Sequence, residues 1–352
     1  MTEQASMVPA SQTIADPHLV LVVGNSRSGT SVLARSLGLH SAMTDLGETH
    51  FIDEVSPTVN IAEPIDSDAA DEYCVRLQSI LATGLHGQRG EQIRPGFHRP
   101  ESDSSPLELL LEVAAHQHDD GGPAFVEQTP GNLYHAASVL REAPDVRVIL
   151  IVRDPRSVVY SNCHRWKAAA RWASGSTSAK VEVVRSWSQG HPLLQAVLWR
   201  RGARAGLALE KQFPREVARI RYEELISEPE ITLRRACSTI GVQFERQMLD
   251  VDVQGSSSAS NEADSTGFKA RSSVAAEDKL SDGANWLVER LCATEMKELD
   301  YSPTGRGAVW QAIVQALSIP KVLPGVAITA SRLASVDRVR SRLAPAESDA
   351  QA

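Results

Sequence analysis

The chain has 352 residues, 42% of them apolar, enough to fill the core of one large domain or two modest ones. A formal charge of −8 and a pI near 5.7 argue against a nucleic-acid binder, so any anionic ligand has to be held by a few placed groups. The four cysteines, Cys74, Cys163, Cys237 and Cys292, have neither paired nor metal-type spacing, which predicts reduced thiols and a cytoplasmic location.

Residues 1–17 have no basic start and no apolar run of about 7–15 residues, and are expected to be a disordered lead rather than a signal peptide. No stretch approaches the roughly 20 apolar residues of a membrane span. Residues 18–23, His-Leu-Val-Leu-Val-Val, predict a strand buried on both faces; a glycine- and serine-rich loop at 24–31 follows, then a helix from Val32. Between 57 and 120 the composition is mixed, with helices predicted over 70–81 and 106–116, and the whole reads as a helical insertion or lid.

A strand at 124–127, a helix at 133–142 and the strongest strand of the chain at 146–152 come next. Helices at 157–170 and 193–212, a strand at 218–222 and helices at 228–240 and 285–299 complete the series, with a Ser/Ala/Asp/Lys-rich loop at 255–282. This alternation predicts an α/β fold, a doubly wound parallel sheet flanked by helices, over residues 18–302. Residues 303–352 read as a helical tail with a disordered end.

The loop Gly24-Asn25-Ser26-Arg27-Ser28-Gly29-Thr30-Ser31 is a ready anion site, because backbone N–H groups and a helix N-terminus converge there. Its spacing nearly matches a nucleoside-triphosphate loop, but Thr30 stands where that motif needs a lysine. A magnesium-dependent kinase also wants a carboxylate at the end of the next central strand, where Arg153 stands and only Asp154 keeps the kinase alternative open.

Residues 26–31, Ser-Arg-Ser-Gly-Thr-Ser, resemble the 5′-phosphosulfate loop of the sulfotransferases that use 3′-phosphoadenosine 5′-phosphosulfate, with Ser26 in place of the proline of one large branch. Arg153-Asp154-Pro155-Arg156 with Ser161 is similar to the 3′-phosphate motif of that family, and Arg221-Tyr222-Glu223-Glu224-Leu225 to its adenine-side segment. The resemblance implies a nucleotide-kinase-like fold. It also implies a donor held by Ser26, Arg27, Ser28, Gly29, Thr30, Ser31, Arg153, Ser161 and Tyr222, no metal, and an acceptor that presents a hydroxyl on a small molecule, carbohydrate, lipid or peptide. Arg27 is the group expected to neutralise charge on the bridging oxygen as the S–O bond breaks.

The histidine base of the small-molecule branch has no counterpart, since its place is taken by Pro130. Glu48 in Gly-Glu-Thr-His-Phe resembles instead the base of the tyrosylprotein and glycosaminoglycan branches, partly shielded from water, with His50 as second candidate. Where many relatives carry Glu-Lys-Thr-Pro, this chain has Glu127-Gln128-Thr129-Pro130, so Gln128 offers the donor a hydrogen bond without charge, and Lys269 and Arg271 are the candidate replacement cations. A donor-binding protein without catalysis is a third reading.

Overall fold

The computed structural model describes residues 18–83, 94–99, 103–118, 122–167, 190–251, 267–268, 278–311 and 313. The apolar runs read from the sequence form β1 (His18–Gly24), β3 (Ala124–Glu127), β4 (Arg147–Val152) and β5 (Val217–Arg221). A fifth strand, β2 (Met43–Gly47), was not expected. It has neither a β-branched run nor clean alternation, and it exists because it lies at the edge beside β3, with a register shift between Asp45 and Gly47.

All the pairings are parallel and the order is β2-β3-β1-β4-β5. The chain leaves central β1 for one edge, returns through β3, and crosses to β4 on the other side. That reversal opens a crevice at the C-terminal ends of β1 and β4, where a doubly wound sheet binds its ligand.

Alternate residues of the strands feed two cores. Leu19, Leu21 and Val23 face one side with Val148 and Leu150, while Val20 and Val22 face the other with Ile149 and Ile151. Each fully buried aliphatic side chain of this kind contributes roughly 1.5–3 kcal/mol. The second core is closed by α1 (Thr30–Leu37) and, beyond β5, by the helix Pro229–Ile240. The first core takes α2 (Phe51–Val55), α3 (Ser67–Thr83), α4 (Pro106–Gln117), α5 (Ala136–Glu142), α6 (Pro155–Cys163) and α7 (Pro192–Gln212). Leu77, Leu81, Leu109 and Leu110 of α3 and α4 are fully buried in the same cluster as β1, so this helical pair is part of the domain's core.

Local chemistry sets the helix ends. Ser105 and Glu108 form a capping box ahead of α4, and Asp154 caps α6 by accepting from the Arg156 N–H. The helix expected at 133–142 is a 3₁₀ turn, Pro130–Tyr134, followed by α5. After β5 come α8 (Tyr222–Ser227) and α9 (Pro229–Ile240), so Tyr222 opens a helix rather than ending a strand. The single helix expected at 285–299 is interrupted at Cys292, giving α10 (Asp282–Leu291) and α11 (Ala293–Glu298). No helix among the described residues is long and apolar enough to cross a membrane, and all four cysteines are free. The lead at 1–17 and nearly all of the tail lie outside the described residues.

Candidate active site

The loop after β1 turns sharply because two of its residues have positive φ, Arg27 at 74° and Gly29 at 104°. Gly29 is required for a second reason: a Cβ there would stand 2.5 Å from Cδ2 of Tyr222. Ser28 is fully buried, and its hydroxyl has no hydrogen-bond partner. An orphaned buried hydroxyl at the mouth of a helix is a fitting donor to an anion, as the resemblance to a phosphosulfate loop requires.

The two motifs, distant in sequence, interlock. Arg27 Nε donates to Ser161 Oγ at 2.9 Å, and Arg153 Nη1 donates to the Arg27 carbonyl at 3.1 Å. The Arg153 guanidinium lies 4.0 Å from the centroid of the Tyr222 ring, which also presses on Gly29. Behind it, Trp199 Nε1 donates to the Arg153 carbonyl at 3.0 Å, and Asn25 Nδ2 to the Trp199 carbonyl at 3.1 Å. Two guanidiniums, of Arg27 and Arg153, and the Ser161 hydroxyl are thus joined next to the Ser28 loop in a chain of net charge −8.

Asp154 is committed elsewhere. Its Oδ2 pairs with Arg156 Nη2 at 2.6 Å, its Oδ1 accepts from Arg156 N and Nε, and Arg156 also reaches Glu289 at 3.1 Å. This buried capping pair leaves Asp154 poorly placed to hold magnesium, which removes the feature that kept the kinase alternative open. The Asp154 N–H donates to Glu223 Oε1 at 3.0 Å, and Tyr301 OH donates to Glu223 Oε2 at 2.9 Å, so the segment following α11 braces the Arg153 turn.

At the end of β3, Gln128 Oε1 accepts from the Ser31 hydroxyl at 3.1 Å, so the residue that replaces the expected lysine does touch the loop. Lys269 and Arg271 lie outside the described residues. A cation missed in the sequence, Lys279, stands near Arg153; burial, then repulsion by Arg153, holds its ammonium below the usual lysine range. No spacing in the sequence marks it.

Glu48 follows β2 on the same edge of the sheet. Its side chain is 42% exposed, which corrects the expectation that it is shielded from water, and its Oε1 lies 3.3 Å from His50 Nε2. His50 Nδ1 lies 3.0 Å from Asp53 Oδ2. With a carboxylate on each ring nitrogen, first Asp53 and then Glu48, the imidazole is pushed up to about 10. Both carboxylate contacts favour the protonated imidazole, which weighs against His50 as the base.

Comparison with known proteins decides the family. The model of the sulfotransferase family matches residues 17–246, about two thirds of the chain. The chain belongs to the sulfotransferase family. A Caenorhabditis briggsae protein named "Putative protein-tyrosine sulfotransferase" is 25% identical over 300 residues, covering 81% of this chain and 92% of that protein. Among solved structures, the sulfotransferase domain of the Synechococcus PCC 7002 olefin synthase is 14% identical with a TM-score of 0.46, covering 84% of this chain and 99% of that one. A sulfotransferase from Alicyclobacillus acidocaldarius is 16% identical with a TM-score of 0.43, covering 82% and 95%. Among the described residues no group of three or more His, Cys, Asp or Glu side chains could hold a metal ion.

Proposed function

We propose that this sulfotransferase moves the sulfuryl group of 3′-phosphoadenosine 5′-phosphosulfate to an acceptor hydroxyl, with Glu48 as general base. The observation that carries the reading is the joined cradle of Arg27, Arg153 and Ser161 beside the unpartnered Ser28 hydroxyl. Its donors and charges suit a nucleotide with phosphates at both ends. Arg153 and Ser161 hold the 3′-phosphate, Ser28–Ser31 hold the 5′ end, and Gln128 orients Ser31. Tyr222 carries Arg153 and flanks the adenine side.

Glu48, kept beside the His50 cation, accepts the proton that the attacking hydroxyl loses, while Arg27 offsets the charge that builds on the departing phosphate. The cation also offsets the repulsion between Glu48 and an anionic donor. The name of the Caenorhabditis briggsae relative makes a tyrosyl hydroxyl the first acceptor to assay.

The test follows release of 3′-phosphoadenosine 5′-phosphate from the donor with a tyrosyl peptide, then with phenolic, carbohydrate and lipid hydroxyls. Turnover is expected with at least one class, and Glu48→Gln is expected to lower it about 10²–10⁴-fold while bisphosphate binding persists. Full activity in Glu48→Gln would remove Glu48 from the mechanism, and binding without turnover on every acceptor would favour a donor-binding protein.

A further inference from the structure

Glu127 is a buried ionisable group that neither the donor cradle nor the base uses. It ends β3 with 0% exposure, and its partners among the described residues are all neutral. Oε1 accepts from Thr49 N at 3.0 Å, from Thr49 Oγ1 at 2.9 Å and from Thr129 Oγ1. Oε2 accepts from Thr129 N at 3.1 Å and from Asn132 Nδ2. Burial pushes this carboxyl up, and the hydrogen bonds from Thr129 and Thr49 oppose it.

The direction of the threonine hydroxyls is fixed from the other side. Thr49 Oγ1 accepts from the Phe51 N–H at 3.2 Å, and Thr129 Oγ1 accepts from the His50 N–H at 3.0 Å. Each hydroxyl therefore turns its own proton toward Glu127 and its lone pair toward the backbone. Three successive N–H groups, of Thr49, His50 and Phe51, are gripped directly or through one hydroxyl. The turn they form needs that grip, because His50 holds a φ of 57°, unusual for a residue with a side chain.

The same carboxylate holds Thr129, whose neighbour Gln128 accepts from Ser31 of the anion loop. One buried group thus spans the turn that carries Glu48 and the strand end that contacts the loop.

We propose that Glu127 is a positioning residue that locks the 48–51 turn in register with the anion loop, acting through the hydroxyls of Thr49 and Thr129. Its consequence for turnover rests on the reading of Glu48 as base; its consequence for geometry does not. The reporter is the His50 ring, which lies between Glu48 and Asp53, with Asp53 packed against Gly131 and electrostatically coupled to the buried His135.

The experiment follows the His50 ring by NMR titration in the full chain. The unsubstituted protein is expected to titrate near 10, Thr129→Val to shift by at least one unit toward 6.5, and Thr129→Ser to restore the original midpoint. Thermal stabilisation by 3′-phosphoadenosine 5′-phosphate reports whether the variants keep the donor crevice. An unchanged His50 titration in folded Thr129→Val overturns the proposal. If that variant does not fold, amide exchange in the unsubstituted chain decides: the Thr49, His50 and Thr129 amides are expected to exchange only on global unfolding, and exchange at surface-loop rates overturns it. Undiminished turnover in Glu48→Gln would instead overturn the assigned base and leave this result standing.

Discussion

Arg27 and Ser161, 134 positions apart in the chain, meet in a 2.9 Å hydrogen bond across the crevice between β1 and β4. The contact joins the glycine-serine loop to the arginine-serine helix, the two parts of the proposed donor site. Ser161→Ala should weaken binding of 3′-phosphoadenosine 5′-phosphate about 10-fold, and Arg153→Ala about 100-fold, as expected for bonds to a charged group. Calorimetric titration reads both. Equal affinity in all three proteins would separate the two motifs functionally.

Gly29 gives the loop its closeness to Tyr222. A methyl group there meets the ring at 2.5 Å on a backbone with φ of 104°, so Gly29→Ala is expected to cost about 1–3 kcal/mol in urea unfolding and to weaken bisphosphate binding by displacing the ring that carries Arg153. Trimming the ring with Tyr222→Leu in the same chain should recover part of the stability loss, a coupling that a double-mutant cycle measures.

Gln128 touches Ser31 without bringing charge. Gln128→Lys should tighten bisphosphate binding about 5–10-fold at low salt, with the gain shrinking as salt rises. The unliganded variant should be less stable, because an ammonium at a site only 8% exposed lacks water. A variant whose affinity is unchanged and insensitive to salt would put the bound anion away from Ser31.

The His50 cation makes stability depend on pH in a defined direction. Its folded value, raised to about 10 by Asp53 and Glu48, exceeds the ordinary 6.5, so the native state binds the extra proton and gains stability that is fully present below 6.5. That gain declines above 6.5 and is lost as pH rises through about 10. Denaturant unfolding of the unsubstituted chain and of His50→Gln should therefore differ most at pH 6 and converge near pH 10. A constant difference across that span would mean that folding does not raise the affinity of the imidazole for its proton.

Much of the sheet was legible because β1 and β4 are long apolar runs that have no other good use, and the residues between them break at glycine, serine and proline. β2 was not, since Met43-Thr44-Asp45-Leu46-Gly47 becomes a strand only by pairing with β3. In the site, the loop could be found by its spacing and Arg153 by resemblance, whereas the contact of Arg27 with Ser161 and the approach of Lys279 to Arg153 arise from topology. Glu127 was read as part of a motif centred on its neighbour, and its five donors come from Thr49, Thr129 and Asn132, residues of unremarkable local pattern. Glu48 was found by resemblance, but the His50–Asp53 pair beside it changes what surrounds that carboxylate.

The most direct measurement is thermal stabilisation of the purified chain by 3′-phosphoadenosine 5′-phosphate without magnesium, run beside ATP with and without magnesium. The bisphosphate alone is expected to stabilise, by about 2.7 kcal/mol at 100 times its dissociation constant. Stabilisation by magnesium-ATP and not by the bisphosphate would contradict the proposed donor and make the crevice a triphosphate site.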